Sequence, residues 1–145
     1  MHKGSCLCGG VRYELNGPLG PMVCCHCPDC RKAQGSAFAT VAPVASADFR
    51  LLSGEDLLSE YESSPCKRRV FCRRCGSPIF SRRDADPAVL RLRIGTLDTP
   101  VDAPVSAHIW AGAKAPWHDI GGPAPQYEKF EPTRKPGSSG EVGSK

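Results

Sequence analysis

Apolar and polar side chains alternate in short runs along this chain, and no run sustains the 3.6-residue period of an amphipathic helix. Val11-Arg12-Tyr13-Glu14-Leu15 sets three apolar residues on one face of an extended segment, and Asn16-Gly17-Pro18 ends it with turn chemistry. Val89 to Ile94 repeats the pattern, with Leu90, Leu92 and Ile94 on one face and Arg91 and Arg93 on the other. Further strands are predicted over Ser36 to Val44, Phe49 to Leu52, Leu57 to Tyr61 and Val105 to Trp110. Between Arg69-Val70-Phe71 and the extended run Pro78 to Ser81 lies Cys72-Arg73-Arg74-Cys75-Gly76, the outline of a hairpin knuckle. Small residues after Cys30 allow a short turn of helix. The pattern predicts a mainly β domain.

Composition narrows this picture. A chain of 145 residues with 40% hydrophobic content has one domain's worth of sequence and a modest core. Fourteen prolines and fifteen glycines argue for short strands joined by turns. The apolar pattern fades after Phe130, so residues 1–130 are read as the domain and 131–145 as a flexible tail that buries too little to offset its ordering entropy. No segment approaches the ~18 consecutive apolar residues of a membrane helix. The opening Met1-His2-Lys3-Gly4-Ser5-Cys6 lacks the apolar run of a secretory signal. A cytoplasmic location is expected, where thiols stay reduced and clustered cysteines act as metal ligands or catalytic groups. Nine is also an odd count, which a closed disulfide framework would not leave.

Seven of those cysteines fall in three clusters: Cys6 and Cys8; Cys25, Cys27 and Cys30; and Cys72 and Cys75. Zinc prefers four ligands in a tetrahedron and takes thiolates readily. The first and last clusters together complete a four-thiolate site, Cys6, Cys8, Cys72 and Cys75, whose closed shell suits a structural role. The middle cluster supplies three ligands, which leaves a fourth position for water or substrate, as catalytic zinc requires. Two zinc ions per chain are therefore expected. Cys24, His26, His108 and His118 are the candidates that would close the second site, and spacing does not decide between the two states. Cys24 and Cys66 are left over and are read as small hydrophobes.

The ordered set Gly4-Ser5-Cys6-Leu7-Cys8-Gly9-Gly10-Val11-Arg12-Tyr13, Cys25-His26-Cys27-Pro28-Asp29-Cys30-Arg31-Lys32 and Phe71-Cys72-Arg73-Arg74-Cys75-Gly76-Ser77-Pro78 resembles the glutathione-dependent formaldehyde-activating enzyme family, also called the centromere-protein-V-type domain. The resemblance runs on through Gly95-Thr96-Leu97-Asp98 and His108-Ile109-Trp110 to Trp117. It implies a β-tent fold of small antiparallel sheets tied by zinc, a structural site at Cys6, Cys8, Cys72 and Cys75, and a catalytic-type site at Cys25, Cys27 and Cys30. It also implies carbon–sulfur lyase chemistry, the joining of formaldehyde to glutathione as S-hydroxymethylglutathione. Arg31 and Lys32 follow the middle cluster directly and are the candidates to meet glutathione's carboxylates.

A second reading competes with the enzyme: an interaction module in which both zincs are structural and the basic pairs contact a macromolecule. Those pairs are Arg31-Lys32, Lys67-Arg68-Arg69, Arg73-Arg74 and Arg82-Arg83, within a net charge of +4. The isoelectric point near 8.6 and the few aromatics among these charges disfavour nucleic acid. Trp110 and Trp117 are read as core residues, with the wall of a pocket as the alternative.

Overall fold

The computed structural model describes residues 1–134. Ten strands make two sheets. The smaller sheet joins β1 (His2–Ser5), β2 (Arg12–Leu15) and β5 (Phe49–Ser53), in the order β1-β2-β5 and all antiparallel. The larger contains β3 (Val23–Cys25), β4 (Ala39–Ala45), β6 (Leu58–Ser64), β7 (Lys67–Cys72), β8 (Pro78–Arg83), β9 (Asp86–Arg93) and β10 (Ala107–Ile109). Its order is β10-β3-β4-β9-β8-β7-β6, antiparallel except where β10 runs parallel to β3. The fold is the mainly β, single-domain arrangement of small sheets that the sequence predicts.

Two strands escape the sequence reading for opposite reasons. His2-Lys3-Gly4-Ser5 contains no large apolar side chain, so β1 leaves no periodic signal; it pairs along β2 from His2 opposite Leu15 to Ser5 opposite Arg12. Val23-Cys24-Cys25 is buried on both faces, and a fully buried run of three shows no alternation. The one α-helix among the described residues, α1 (Pro28–Gln34), begins before Cys30 rather than after it. Proline at its first position fixes the entering φ. Cys27 caps it by accepting the Cys30 amide at 3.3 Å, and Gly35 closes it in the left-handed region.

The two sheets enclose one core. Val11, just before β2, and Tyr13 and Leu15 of the small sheet meet Val44, Ile79, Leu90 and Leu92 of the large one, all buried. Tyr13 stacks on Phe49 at 4.9 Å between ring centroids and shares a hydrogen bond of 2.7 Å with the Thr96 hydroxyl. Burial pushes its phenol up to about 12. A second core gathers Val23, Ala39, Val41, Ala107 and Ile109 around Cys25, Cys27 and Cys30. Trp110, Tyr127 and Phe130 pack against it. The chain after Pro125 lies along β10 through Tyr127 N–H to the His108 carbonyl (2.9 Å) and Trp110 N–H to the Lys129 carbonyl (2.8 Å). Of the expected tail, Glu131 and Arg134 form an ion pair at 3.0 Å, and residues 135–145 lie outside the described residues.

Gly54 and Gly35 both hold positive φ, but a β-carbon at Gly54 would meet backbone, the Gly10 carbonyl oxygen at 2.5 Å and Val11 Cα at 2.8 Å, whereas Gly35 faces open space. Gly35→Ala should cost about 1–2 kcal/mol, the left-handed penalty alone. Gly54→Ala should cost at least about 1 kcal/mol more because its neighbours cannot rotate away. Urea melts of the two variants measure the difference.

Candidate functional site

Cys6 sits at the end of β1 in a turn drawn tight by Gly9 N–H to the Cys6 carbonyl (2.9 Å) and by Val11 N–H to Cys6 Sγ (3.2 Å). Across the core, the β7–β8 knuckle folds beneath Cys72 through Gly76 N–H to the Cys72 carbonyl (2.7 Å), with Gly76 at φ +80°. The two turns bring Cys6, Cys8, Cys72 and Cys75 together with every sulfur within 4.8 Å of the others. Cys6 Sγ is 3.5 Å from Cys8 Sγ, and Cys8 Sγ is 3.9 Å from Cys72 Sγ. Tetrahedral zinc with bonds near 2.3 Å needs sulfurs about 3.8 Å apart, so the donor set fits that ion. The Ser77 hydroxyl, chiefly, draws the Cys75 thiol down to about 5.

The second group lies at the other core. Cys25 ends β3, Cys27 caps α1 and Cys30 occupies its first turn, so a strand and a helix N-terminus converge three sulfurs within 4.8 Å of one another. Main-chain bonds hold the turn between them: His26 N–H to the Ile109 carbonyl and Arg31 N–H to the Cys27 carbonyl, each 3.0 Å. All three cysteines are buried. Among the described residues no fourth cysteine, histidine or carboxylate joins them. Cys24 meets the Thr40 hydroxyl at 3.7 Å instead. His26 Nε2 is bonded to His108 Nδ1 at 2.9 Å, and His118 stacks on the His26 ring at 6.0 Å. Burial, reinforced by His108, drives the His26 imidazole down to about 4 and so keeps it neutral. All four candidates for closing the site are thus engaged elsewhere. Cys66 also departs from expectation: it is exposed in the β6–β7 turn with φ +60°, not buried.

Two buried guanidiniums back the three-cysteine group. Arg69 approaches Cys30 Sγ with Nη1 and Nη2, each at 4.0 Å, and is held by Nε donation to the Ser63 hydroxyl at 2.9 Å. Arg93 donates to the Arg91 carbonyl at 3.1 Å, and burial lowers it to about 10. Hydrogen bonds from Cys25 and Cys27, then the charges of Arg69 and Arg93, pull the Cys30 thiol well below its ordinary range. Cys25 is pushed the other way, chiefly by its two sulfur neighbours.

A cavity opens over this group. Its apolar wall is Val41, Val89, Ile109, Trp110 and Phe130, and its charged wall includes Lys67, Arg83, Arg91 and Arg134. Arg31 and Lys32, on α1, are not among the lining residues; Lys32 is exposed. Trp110 lines the cavity, while Trp117 stands 72% exposed. Sequence reasoning missed the cationic wall because it lies across strands. Lys67 opposes Arg83, and Arg69, Ser81 and Arg91 form the next row on the same face. The signal was present in the alternation of Arg91 and Arg93 with Leu90 and Leu92, which turns both arginines to the face opposite the leucine core.

Comparison with known proteins bears on what this arrangement does. Residues 1–113 match the family model described as glutathione-dependent formaldehyde-activating enzyme. A Halomonas elongata protein that carries the same family's name is 28% identical over 126 residues, covering 81% of this chain and 80% of its own. A Schizosaccharomyces pombe protein described as an uncharacterized lyase is 27% identical over 79 residues, 54% of this chain and 56% of its own. A crystal structure of a Rhodobacter sphaeroides protein superposes with TM-score 0.57 at 26% identity, covering 69% of this chain and 91% of that one.

The two groups should respond differently to loss of a sulfur. Cys72→Ser removes a ligand that ties the two sheets together and should leave little soluble, folded protein. Cys27→Ser should leave a folded chain with about one zinc in place of two. Metal content by mass spectrometry and far-ultraviolet circular dichroism measure both, and equal unfolding in the two variants would contradict the division.

Proposed function

The chain belongs to the glutathione-dependent formaldehyde-activating enzyme family, and on that premise we propose that it joins glutathione, or another thiol, to formaldehyde or a similarly small electrophile. The formal class is carbon–sulfur lyase, and the centre is Cys25, Cys27 and Cys30. One observation carries this reading: the three sulfurs converge beside a cavity, and no fourth protein donor among the described residues joins them. A zinc ion held there would keep a substrate thiol as thiolate near neutral pH. The four-cysteine group would hold the second zinc with no position left for substrate.

The chain's own residues supply the remainder. Arg69, fixed by Ser63, steadies Cys30 and offsets thiolate charge in a buried setting where it would otherwise be costly. Val41, Ile109, Trp110 and Phe130 exclude water from the space in which a small aldehyde meets the thiolate. As the carbon–sulfur bond forms, the carbonyl π pair moves to oxygen, which then needs a proton. Lys67 lines the cavity, and burial lowers its ammonium to about 8. A proton on its Nζ is therefore transferable near neutral pH, in the range where general acids work best. Arg31 and Lys32, expected from their adjacency to the cluster to meet the carboxylates, are not among the residues that line the cavity.

The test is the absorption spectrum of the cobalt-substituted protein titrated with glutathione. Two cobalt ions per chain are expected, one of them shifting its thiolate bands as glutathione enters. Bands indifferent to every thiol would sink the reading and favour the interaction module. Formaldehyde and glutathione also combine without help, so activity must be read by exchange NMR as the rate above that background. Lys67→Met should reduce this excess by about a hundredfold, while the cobalt response to glutathione persists.

A further inference from the structure

Rows of cations cross β7 and β8 on both faces, and their surroundings differ. On the outer face Arg68 stands opposite Arg82, which also borders the cavity, with carboxylates between them. Arg68 pairs with Glu60 at 3.5 Å and Asp84 at 3.2 Å, and Arg82 with the same two residues at 2.8 Å and 3.4 Å. On the cavity face Lys67 stands opposite Arg83, an arrangement of like charges that weakens a ladder unless something compensates. One strand further, Arg91 projects on the same face, and Arg134 arrives from the segment after Phe130. Among the described residues Lys67, Arg83 and Arg91 have no ion pair at all. Arg134 has Glu131 at 3.0 Å and rests 4.4 Å above the Phe130 ring. Asp86 is the one carboxylate lining the cavity among the described residues.

These groups feel one another. Burial first, then the charge of Arg134, holds Arg91 down to about 10, and the same two causes lower Arg83. The outer face demonstrates that opposed cations in this sheet can be neutralised by ion pairs to neighbouring acids, whereas on the cavity face Asp86, opposite Arg83, and Glu131, beside Arg91, make no ion pair to Lys67, Arg83 or Arg91 among the described residues. Guanidiniums gathered on a concave wall recognise carboxylate and phosphate oxygens through paired donors.

From this placement we propose that Arg83, Arg91 and Arg134, with Lys67 beside them, form a subsite for a dianionic group carried by the thiol substrate, either a phosphate monoester or two neighbouring carboxylates. The inference rests on the reading that a thiol enters this cavity, and it names the class of thiol. Glutathione's two carboxylates lie at opposite ends of the molecule, and one accompanies an ammonium group for which only Asp86 is at hand. A concentrated double charge matches the wall better. Phe130 and Arg134 follow the stretch matched by the family model, which ends at residue 113.

The experiment is calorimetric titration of the zinc-loaded full chain with inorganic phosphate and, separately, with malonate. Wild type should bind at least one of them, and the preference identifies which source of double charge the subsite reads. Arg91→Gln and Arg134→Gln should each weaken that binding by about tenfold or more, with partial recovery in Arg134→Lys. Arg68→Gln, on the outer face, should leave it unchanged. Zinc content and thermal melts confirm that each variant is folded; Arg134 lies outside every strand. No binding of either anion to wild type, or equal affinity in the Arg91 and Arg134 variants, overturns the proposal. The cobalt spectrum separates this outcome from failure of the open-site reading. Bands unmoved by any thiol, with anion binding still dependent on Arg91 and Arg134, remove the open site and keep the subsite. Bands moved by glutathione, with anion binding indifferent to both arginines, do the reverse.

Discussion

Four sulfurs from two turns meet within 4.8 Å of one another, and the arrangement of the two sheets depends on that convergence. Cys8 and Cys72 are 64 residues apart in sequence and 3.9 Å apart in space. Closing a loop of that length costs entropy that grows slowly with length, so a metal held at its ends would stabilise a large share of the chain. The convergence also fixes how the small sheet lies over the large one, since Cys6 follows β1 and Cys72 ends β7. The apolar layer of Tyr13, Leu15, Ile79 and Leu92 is then packed between surfaces already held in register. A chain of this size buries a smaller fraction of its surface than a larger one does, and a metal held by the four cysteines would compensate for that shortfall.

The second group uses the same sulfur chemistry for a different end. Its ligands come from a strand end and a helix start, both buried, and the positive charge behind them comes from Arg69 and Arg93. Burying guanidiniums is costly unless anionic partners lie close, and the Cys30 sulfur, held well below the ordinary thiol range, is such a partner. The arginines and the cysteines thus make each other tolerable in the core. His26 and His108 are bonded to one another, and burial lowers both imidazoles, which keeps them out of the ligand set.

Local patterns were legible in the sequence, and long-range pairings were not. Val11 to Leu15 and Val89 to Ile94 declared themselves as strands because each has one wet and one dry face. The cysteine groups were legible because metal-ligand spacing is a short-range signal, and the pairing of Cys6 and Cys8 with Cys72 and Cys75 followed from ligand arithmetic. β1 was hidden by its lack of apolar residues; Gly4 is there because any β-carbon would strike the Tyr13 ring. Adjacency pointed to Arg31 and Lys32 as neighbours of the cavity, but α1 carries them elsewhere. The cationic wall required the register of β7, β8 and β9, which no single segment encodes. The engagement of His26 with His108 across 82 residues was equally out of reach.

The segment that runs along β10 and ends with Phe130 and Arg134 has a consequence for the order of events in biosynthesis. The ribosome releases the chain from its N-terminus, so all seven clustered cysteines emerge before that segment exists. Both ligand sets can therefore assemble while one side of the cavity is still missing. A metal ion held by Cys25, Cys27 and Cys30 would then not need to pass through the finished entrance. Once Tyr127 and Lys129 dock on β10, that route closes. A metal lost later would have to be replaced through the narrower way, past the arginines.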